Sequence, residues 1–428
     1  MNIRVLASPT ASRTRSTAVL LAIVASLALG CAGRAQLLRG DVAPGDLEAL
    51  ADSEPARELL ADLLAHRASH PGVTALAARV DATDVAQEPG PGVDPRLPAV
   101  AAQARLRALS QEISLDFAAL SFARAIVADG SSRAVQASYE RFLQESAASA
   151  EQSLRRPDAF PFTVLFAPSW MYRSHPETGA DFASQRRLLD RLGIAYRLIP
   201  SRQDASVEEN AAIIAGAVRA ARLDGTRVVV VSASKSGAEA ALALSRVLAP
   251  EDAGAVAAWI NLVGALGGSP LADTALRPPT SWVARSVFWL RGWDWAGMIS
   301  MATAASRERL RDARMPESIA VVNVVAVPLS GTVGTAVWGG YRLLRHHGPN
   351  DGAVLLADTV WPGGVNIVAI GPDHLFAPRA DDLHTLAMLR AIAEAIKVHR
   401  RPSAPAVASG SEAGPGVEIG TREDRFDR

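Results

Sequence analysis

A serine, an aspartate and a histidine of this chain lie in local sequences that suit nucleophilic catalysis. Ser234 is in the run SASKSG, residues 232–237, between a strand-like segment and a helix-like one. A nucleophile elbow lies at such a junction, and small residues two positions away on either side tolerate its strained backbone. The usual pattern is G-x-S-x-G, from which Ser232 and Ser236 depart by one hydroxymethyl group each. We expect Ser234 to be the nucleophile of an elbow.

Asp351, in Asn-Asp-Gly, follows a strand-like segment with a helical linker, and His374, in Gly-Pro-Asp-His, follows a later strand-like segment. We expect each of them just past the carboxyl end of a strand, at the edge where the ends of parallel strands converge. An imidazole can take the serine proton and return it to the leaving group, and a carboxylate fixes the tautomer of the imidazole. Asp358 and Asp373 are alternatives for the acid. Asp373 adjoins His374 in sequence, which disfavours it, while Asn-Asp-Gly is also common in plain turns.

Two other chemistries are disfavoured by the sequence. Ser232 and Lys235 satisfy S-x-x-K, the acylation motif of penicillin-recognising enzymes, but no S-D-N or K-T-G element follows. The chain has one cysteine and no H-E-x-x-H motif, so we predict no metal site and no cofactor. Lys plus Arg and Asp plus Glu number 44 each, so no net charge recruits nucleic acid.

The sequence pattern changes near Phe160, where the elements that must position these residues begin. Residues 159–400 alternate apolar, β-branched runs with amphipathic segments, which predicts βαβ units and a doubly wound, mostly parallel α/β sheet. Residues 271–316 interrupt this alternation with helical, tryptophan-rich sequence and are predicted to be a helical cap insertion. Trp282, Trp289 and Trp293 would share one helical face. Such a stripe is more typical of core than of a contact surface, although in a cap it could line an acyl pocket.

The two ends of the chain differ from this domain. In residues 31–158 the apolar residues recur at helical spacing, and no cluster of potential metal or ligand-binding residues is present. We expect a helical accessory region that packs on the α/β domain. Residues 401–428 lack apolar periodicity and are predicted to be disordered.

The N-terminus has the pattern of an export signal. Arg4, Arg13 and Arg15 precede an uncharged apolar run that ends at Gly30, so residues 1–30 are predicted to be a signal peptide. The single cysteine, Cys31, follows directly and resembles the acylated residue of a bacterial lipoprotein box. That resemblance implies a lipid anchor in the cell envelope, and Ala32 favours the outer membrane, facing the periplasm. The alternative is an ordinary signal peptide with an incidental cysteine.

Residues from about 160 to 398 resemble the lipase and esterase branch of the α/β-hydrolase superfamily. The resemblance is carried by VVVVSASKSGAEAALAL, INLVGALGGSPLAD, NDGAV and GPDHL. It implies Ser234 as nucleophile, His374 as base and Asp351 as acid. The elbow places the backbone N–H of Lys235 in the oxyanion hole, and alignment of VLFAPSWMY with the usual lipase loop adds the N–H of Trp170.

The implied activity is hydrolysis of carboxylic esters, with a small-molecule or lipid ester as substrate. A thioesterase or amidase would use the same groups. A catalytically silent α/β lipoprotein that binds a partner through its helical region is the alternative from another class, and the serines in place of the elbow glycines are its main support.

Overall fold

The computed structural model of the protein describes residues 44–66, 98–156, 159–376 and 382–399. The predicted signal peptide, Cys31 and the predicted disordered tail lie outside the described residues. Within these ranges, no helix combines the length and the apolar character needed to cross a bilayer.

Six parallel strands form a single sheet in the order β2-β1-β3-β4-β5-β6. The strands are β1 (Thr163–Ala167), β2 (Tyr196–Leu198), β3 (Val228–Ala233), β4 (Val256–Leu262), β5 (Ala320–Val327) and β6 (Val365–Ile370). The central strands are mostly apolar because helices cover both faces of the sheet. The prediction of a doubly wound, mostly parallel α/β fold is confirmed.

Helices pack on both faces of this sheet. One face is covered by α8 (Val207–Leu223) and α9 (Lys235–Leu242), and the other by α7 (Ala183–Leu192) and α16 (Asp382–His399). Local sequence sets their bounds: the Ser206 hydroxyl accepts a hydrogen bond from the backbone of Glu209 at the start of α8, and Gly193, in a left-handed conformation, ends α7. A single helical turn, α10 (Pro250–Ala253), precedes β4.

The described N-terminal helices pack against the same sheet. They are α1 (Pro44–Ala49), α2 (Glu54–His66), α3 (Pro98–Glu112), α4 (Leu115–Ile126), α5 (Gly130–Leu143) and α6 (Ala147–Leu154). Helix α5 covers the edge of β6: the backbone N–H of Val368 donates to Gln136 Oε1 (2.8 Å), and Gln136 Nε2 donates to the Val368 carbonyl (3.1 Å). Helix side chains thereby satisfy a strand edge that would otherwise be free to pair with another chain.

A row of amide side chains crosses the middle of the sheet. Asn261, Asn323 and Asn366 are register partners on β4, β5 and β6. Asn261 Nδ2 donates to Asn323 Oδ1 and Asn323 Nδ2 donates to Asn366 Oδ1, each at 3.0 Å. All three residues are buried, so the hydrogen bonds between them offset the cost of removing the amides from water.

Four helices separate β4 from β5: α11 (Pro270–Leu276), α12 (Thr280–Arg291), α13 (Trp295–Ser300) and α14 (Thr303–Leu310). Helix α12 ends at Gly292, in a left-handed conformation, so Trp293 does not continue the face of Trp282 and Trp289. Those two side chains are 67% and 81% exposed. The interpretation of the stripe as core is therefore wrong for both, because α12 turns Phe288 inward instead. The last helix before β6 is α15 (Thr335–Leu344).

Candidate active site

Ser234 lies at a sharp turn between β3 and α9, with φ 53° and ψ −124°. A non-glycine residue rarely adopts a positive φ, and the strain, about 1–3 kcal/mol, persists only where the surroundings hold the backbone. Here the Ser234 N–H donates to the Leu262 carbonyl (3.0 Å), and the Ser234 carbonyl accepts from the backbones of Gly237 and Ala265 (both 2.9 Å). Three main-chain hydrogen bonds therefore fix the turn.

The two serines that replace the usual glycines make hydrogen bonds of their own. Ser236 Oγ donates to the Ala167 carbonyl (2.7 Å) and accepts from the Ala233 N–H (2.9 Å). Ser232 Oγ accepts from Trp259 Nε1 (2.8 Å). Both hydroxyls thus have buried partners.

The position at this turn that requires glycine is Gly237. A Cβ placed there would lie 2.5 Å from the Cα of Gly264, in the loop after β4. The close contact between the elbow and the loop after β4 therefore requires glycine at position 237, one residue later than the G-x-S-x-G pattern suggests.

Ser234, His374 and Asp351 form one chain of hydrogen bonds. His374 Nε2 lies 2.8 Å from Ser234 Oγ, and His374 Nδ1 lies 2.7 Å from Asp351 Oδ2. With Nδ1–H donating to the carboxylate, Nε2 carries the lone pair that accepts from the serine hydroxyl. This is the arrangement in which an imidazole can remove the proton of a serine.

Asp351 is fully buried and held on its other oxygen as well. Its Oδ1 accepts from the backbone N–H groups of Ala353 and Val354, both at 2.9 Å. The expectation that Asp351 lies just past a strand is wrong. Helix α15 comes between β5 and the loop that carries Asp351.

The two alternative acids have other partners. Asp373 accepts from the backbone N–H groups of Gly334 (2.9 Å) and Leu375 (3.0 Å). Asp358 lies 3.4 Å from a guanidinium nitrogen of Arg307. Burial raises the pKa of Asp358 to about 6, against the lowering effect of Arg307. Among the three predicted carboxylates, Asp351 is the one hydrogen-bonded to His374.

Opposing effects act on the pKa of His374. Its burial disfavours the imidazolium, whereas the charge of Asp351, their hydrogen bond and the charge of Asp373 favour it. The favourable effects win, so the pKa of His374 lies above its ordinary value. The surroundings of His374 thus stabilise its protonated form.

Two backbone N–H groups near Ser234 are candidates for the oxyanion hole. Lys235 is the first residue of α9, so its N–H has no acceptor within the helix. In the loop after β1, Ser169 donates to the Ala180 carbonyl (2.9 Å) and Met171 to the Gln203 carbonyl (3.1 Å). The N–H of Trp170, between them, has no acceptor among the described residues. Trp170 lines the same cavity as Ser234.

The side chain of Lys235 is not available for the alternative S-x-x-K chemistry. It is buried and forms an ion pair with Glu239, which also accepts from Asn210 Nδ2 (2.9 Å). Burial raises the pKa of Glu239, while Lys235 and Asn210 lower it.

A cavity of about 680 Å³ opens next to Ser234 and His374. Side chains from the sheet, from α16 and from the helical insertion line it. Its apolar lining includes Phe166, Val231, Leu262, Phe288, Met388 and Ile392. Among the described residues, no cluster of His, Cys, Asp or Glu could hold a metal ion.

Sequence reasoning missed two polar residues of this cavity. Tyr139, from the accessory helix α5, hydrogen-bonds through its hydroxyl to Nδ1 of His384 on α16 (3.0 Å), and both line the cavity. Their separation of 245 positions gives no local signal.

No family model and no curated protein matches the chain, and the similar proteins found are solved structures. The metagenomic carboxyl esterase MGS0156 is 21% identical, with 55% of this chain and 76% of that chain covered and a TM-score of 0.46. The mature form of the Bacillus licheniformis lipase BlEst2 is 22% identical, with coverages of 51% and 86% and a TM-score of 0.41. Its propeptide form is also 22% identical, with coverages of 51% and 47% and a TM-score of 0.42.

Proposed function

We propose that this protein is a serine hydrolase that cleaves carboxylic esters through an acyl-enzyme intermediate. The observation that carries the proposal is the hydrogen-bond chain from Ser234 through His374 to Asp351, which starts at a strained turn between a strand and a helix. In this role Ser234 is the nucleophile, His374 the general base and Asp351 the residue that orients the base.

In the first half of the reaction, Ser234 Oγ attacks the ester carbonyl carbon while His374 Nε2 takes its proton. The 2.8 Å separation of the two atoms permits direct transfer. Asp351 stabilises the resulting imidazolium. When the tetrahedral intermediate collapses, the bond to the alcohol oxygen breaks, and His374 gives the proton to that oxygen.

The negative oxygen of the intermediate needs donors that are already in place. The N–H groups of Lys235 and Trp170 are proposed for this role, because each is left without an acceptor beside the nucleophile. One such donor typically contributes roughly 3 kcal/mol to the transition state.

In the second half, water replaces the alcohol. His374 removes a proton from the water, the hydroxide adds to the acyl carbon, and collapse returns the proton to Ser234 Oγ with release of the carboxylic acid. The hydrogen bond between His374 and Asp351 serves both halves, because the histidine is charged in each transition state.

The cavity supports esters with an apolar acyl chain as substrates. Its apolar lining along the sheet favours aliphatic groups over charged or sugar-like ones. A volume of about 680 Å³ accommodates a ligand larger than an acetyl group.

The proposal is tested by labelling and turnover on the purified protein. The parent is expected to react with a fluorophosphonate probe and to hydrolyse p-nitrophenyl esters, while Ser234→Ala loses both. Ser153→Ala, which removes a hydroxyl from the accessory helix α6, is the matched control and keeps both. A folded parent that refuses the probe overturns the proposal and favours the binding-scaffold alternative.

The cellular location is a separate proposal that rests on the sequence. Residue Cys31 is proposed to be acylated and to anchor the protein in a bacterial envelope membrane, since one or more acyl chains contribute about 0.8 kcal/mol per buried CH₂. Incorporation of labelled palmitate into the parent but not into Cys31→Ala is the expected result. A Cys31→Ala protein that stays in the membrane fraction contradicts it.

A further inference from the structure

Helix α12 has an apolar face that points to solvent. The exposed fractions are 67% for Trp282, 41% for Val283, 81% for Trp289 and 76% for Leu290. These positions are spaced i, i+1, i+7 and i+8, so they lie on one side of the helix. The opposite side is buried through Ala284 and Phe288. The outer face also contains Ser286, whose hydroxyl donates to the Trp282 carbonyl (2.9 Å) within the helix. The helix is therefore largely apolar on both sides, although a surface helix of a soluble domain usually has a polar outer face.

The charged residues of the segment 277–293 are all basic, and the next acidic residue is Asp294. Arg277, Arg285 and Arg291 are exposed, and residues 277–293 contain no Asp or Glu. Arg285 and Arg291 each lie 5.4 Å from a tryptophan ring, those of Trp295 and Trp293. Tryptophan and leucine on one face with flanking arginines is the composition of helices that lie in the interface of a membrane.

A second copy of this chain fits the face less well. Two tryptophans and two aliphatic side chains at these exposures offer on the order of 500–600 Å², below the roughly 800 Å² per partner of a stable interface. A symmetric dimer would also bring the three arginines of each copy toward those of the other, without an acidic partner from residues 277–293.

The same helix forms part of the wall of the cavity. Phe288, on its inner side, lines the space that also contains Ser234. The neighbouring residue, Trp289, is on the outer side. A surface bound to the outer face would therefore lie one helix diameter from the cavity.

We propose that the outer face of α12 docks on an anionic phospholipid bilayer. The helix lies in the interfacial plane, with Trp282, Trp289 and Leu290 among the acyl chains and the arginines at the level of the phosphates. This inference goes beyond ester hydrolysis and does not depend on it.

Quenching of tryptophan fluorescence by brominated lipids tests the docking directly. Residues 1–43 contain no tryptophan, so contact of the N-terminus with the vesicle gives no signal. All proteins are full-length and carry Ser234→Ala, so that binding is measured without lipid hydrolysis. Vesicles of brominated phosphatidylcholine with phosphatidylglycerol are expected to quench the parent. Trp282→Phe/Trp289→Phe is expected to lose most of that quenching, and Trp338→Phe, at another exposed tryptophan, to keep it.

Two further variants test the physical basis of binding. Trp282→Ser/Trp289→Ser is expected to weaken partitioning to the same vesicles roughly tenfold or more. Arg285→Gln/Arg291→Gln is expected to reduce the preference for phosphatidylglycerol over phosphatidylcholine alone.

Three results would overturn the docking proposal. They are an unquenched parent, equal quenching of the parent and Trp282→Phe/Trp289→Phe, and a dimeric parent that becomes monomeric in Trp282→Ser/Trp289→Ser. Hydrolysis is measured separately in the proteins with Ser234 intact, so loss of the enzyme proposal leaves the docking result unchanged.

Discussion

The hydroxyl of Ser236 donates to the carbonyl oxygen of Ala167 at 2.7 Å, which joins the elbow to the last residue of β1. The loop that follows Ala167 contains Trp170, the proposed second oxyanion donor. One side-chain hydrogen bond thus links the segment of the nucleophile to the segment of that donor. A glycine at position 236 could not make this bond.

Removal of this hydroxyl is expected to reduce kcat more than it changes KM. Ser236→Ala leaves the buried carbonyl of Ala167 without this donor, which costs about 1–3 kcal/mol of stability. Because the spacing of Ser234 and Trp170 then loosens, we expect kcat for p-nitrophenyl esters to fall by roughly tenfold or more. Urea unfolding and steady-state kinetics measure the two effects. Unchanged kcat in a destabilised protein would restrict Ser236 to a structural role.

Asp351→Asn is expected to lower kcat/KM by about 10⁴ and to change its pH dependence. The attraction of Asp351 raises the pKa of His374, and hydrolysis needs the neutral imidazole. For the parent, kcat/KM should therefore rise with pH through a pKa above the ordinary histidine value. In Asp351→Asn, this rise should move to lower pH.

Asp373→Asn is the matched control for that change. It removes a neighbouring charge whose carboxylate is bonded to Gly334 and Leu375 instead of His374, so we expect a much smaller loss. An equal loss of kcat/KM in both variants would argue against Asp351 as the residue that orients the base.

Asp358 is expected to make the stability depend on pH. Burial raises its folded-state pKa to about 6, above the value of 3.8 for an ordinary aspartate. A raised acid contributes stability that is fully present below the unfolded pKa and is lost as pH rises through the folded pKa. Between pH 4 and pH 7 the free energy of unfolding should therefore fall by roughly 2 kcal/mol through this group.

Urea unfolding at the two pH values, in the parent and in Asp358→Asn, isolates this effect. Asp116 also has a pKa of about 6, raised by burial and by Asp52, so the comparison between proteins is more informative than either alone. The same pH dependence in both proteins would be evidence against a raised pKa of Asp358.

The chain-length preference for esters is expected to depend on α16. Ile392 is buried and lines the cavity, so Ile392→Trp should fill part of the space and lower kcat/KM for long-chain p-nitrophenyl esters. Turnover of the acetyl ester should change little. Ile392→Leu, which keeps the side-chain volume, should retain the parent profile. A uniform loss at every chain length would indicate disturbed folding in place of a blocked acyl site.

The sequence was most informative where structure is local. The alternation of strands and helices in a parallel sheet was predicted, because periodicity and flanking turns determine such elements locally. Ser234 could be singled out because a strand, a small-residue turn and a helix are contiguous in the chain.

Features that depend on distant contacts were not predicted. The fit of Tyr139 against His384 and the amide row of Asn261, Asn323 and Asn366 join segments far apart in sequence. The exposure of Trp282 and Trp289 was also missed. Periodicity shows that residues share one face of a helix, but it does not show whether that face is turned toward the core or toward solvent.

The amide row has a consequence for how reliably the chain can reach this arrangement. Ser232 on β3 is the register partner of Asn261, but its hydroxyl hydrogen-bonds to Trp259 and to the Ile260 carbonyl, so the amide row spans β4 to β6. Because side chains alternate between faces, shifting β4, β5 or β6 by one residue would turn its asparagine toward the other face and leave the neighbouring amide without its hydrogen bond. Mispairing is thus penalised at two successive strand pairs, and β4 in turn pairs with β3, the strand that leads into Ser234.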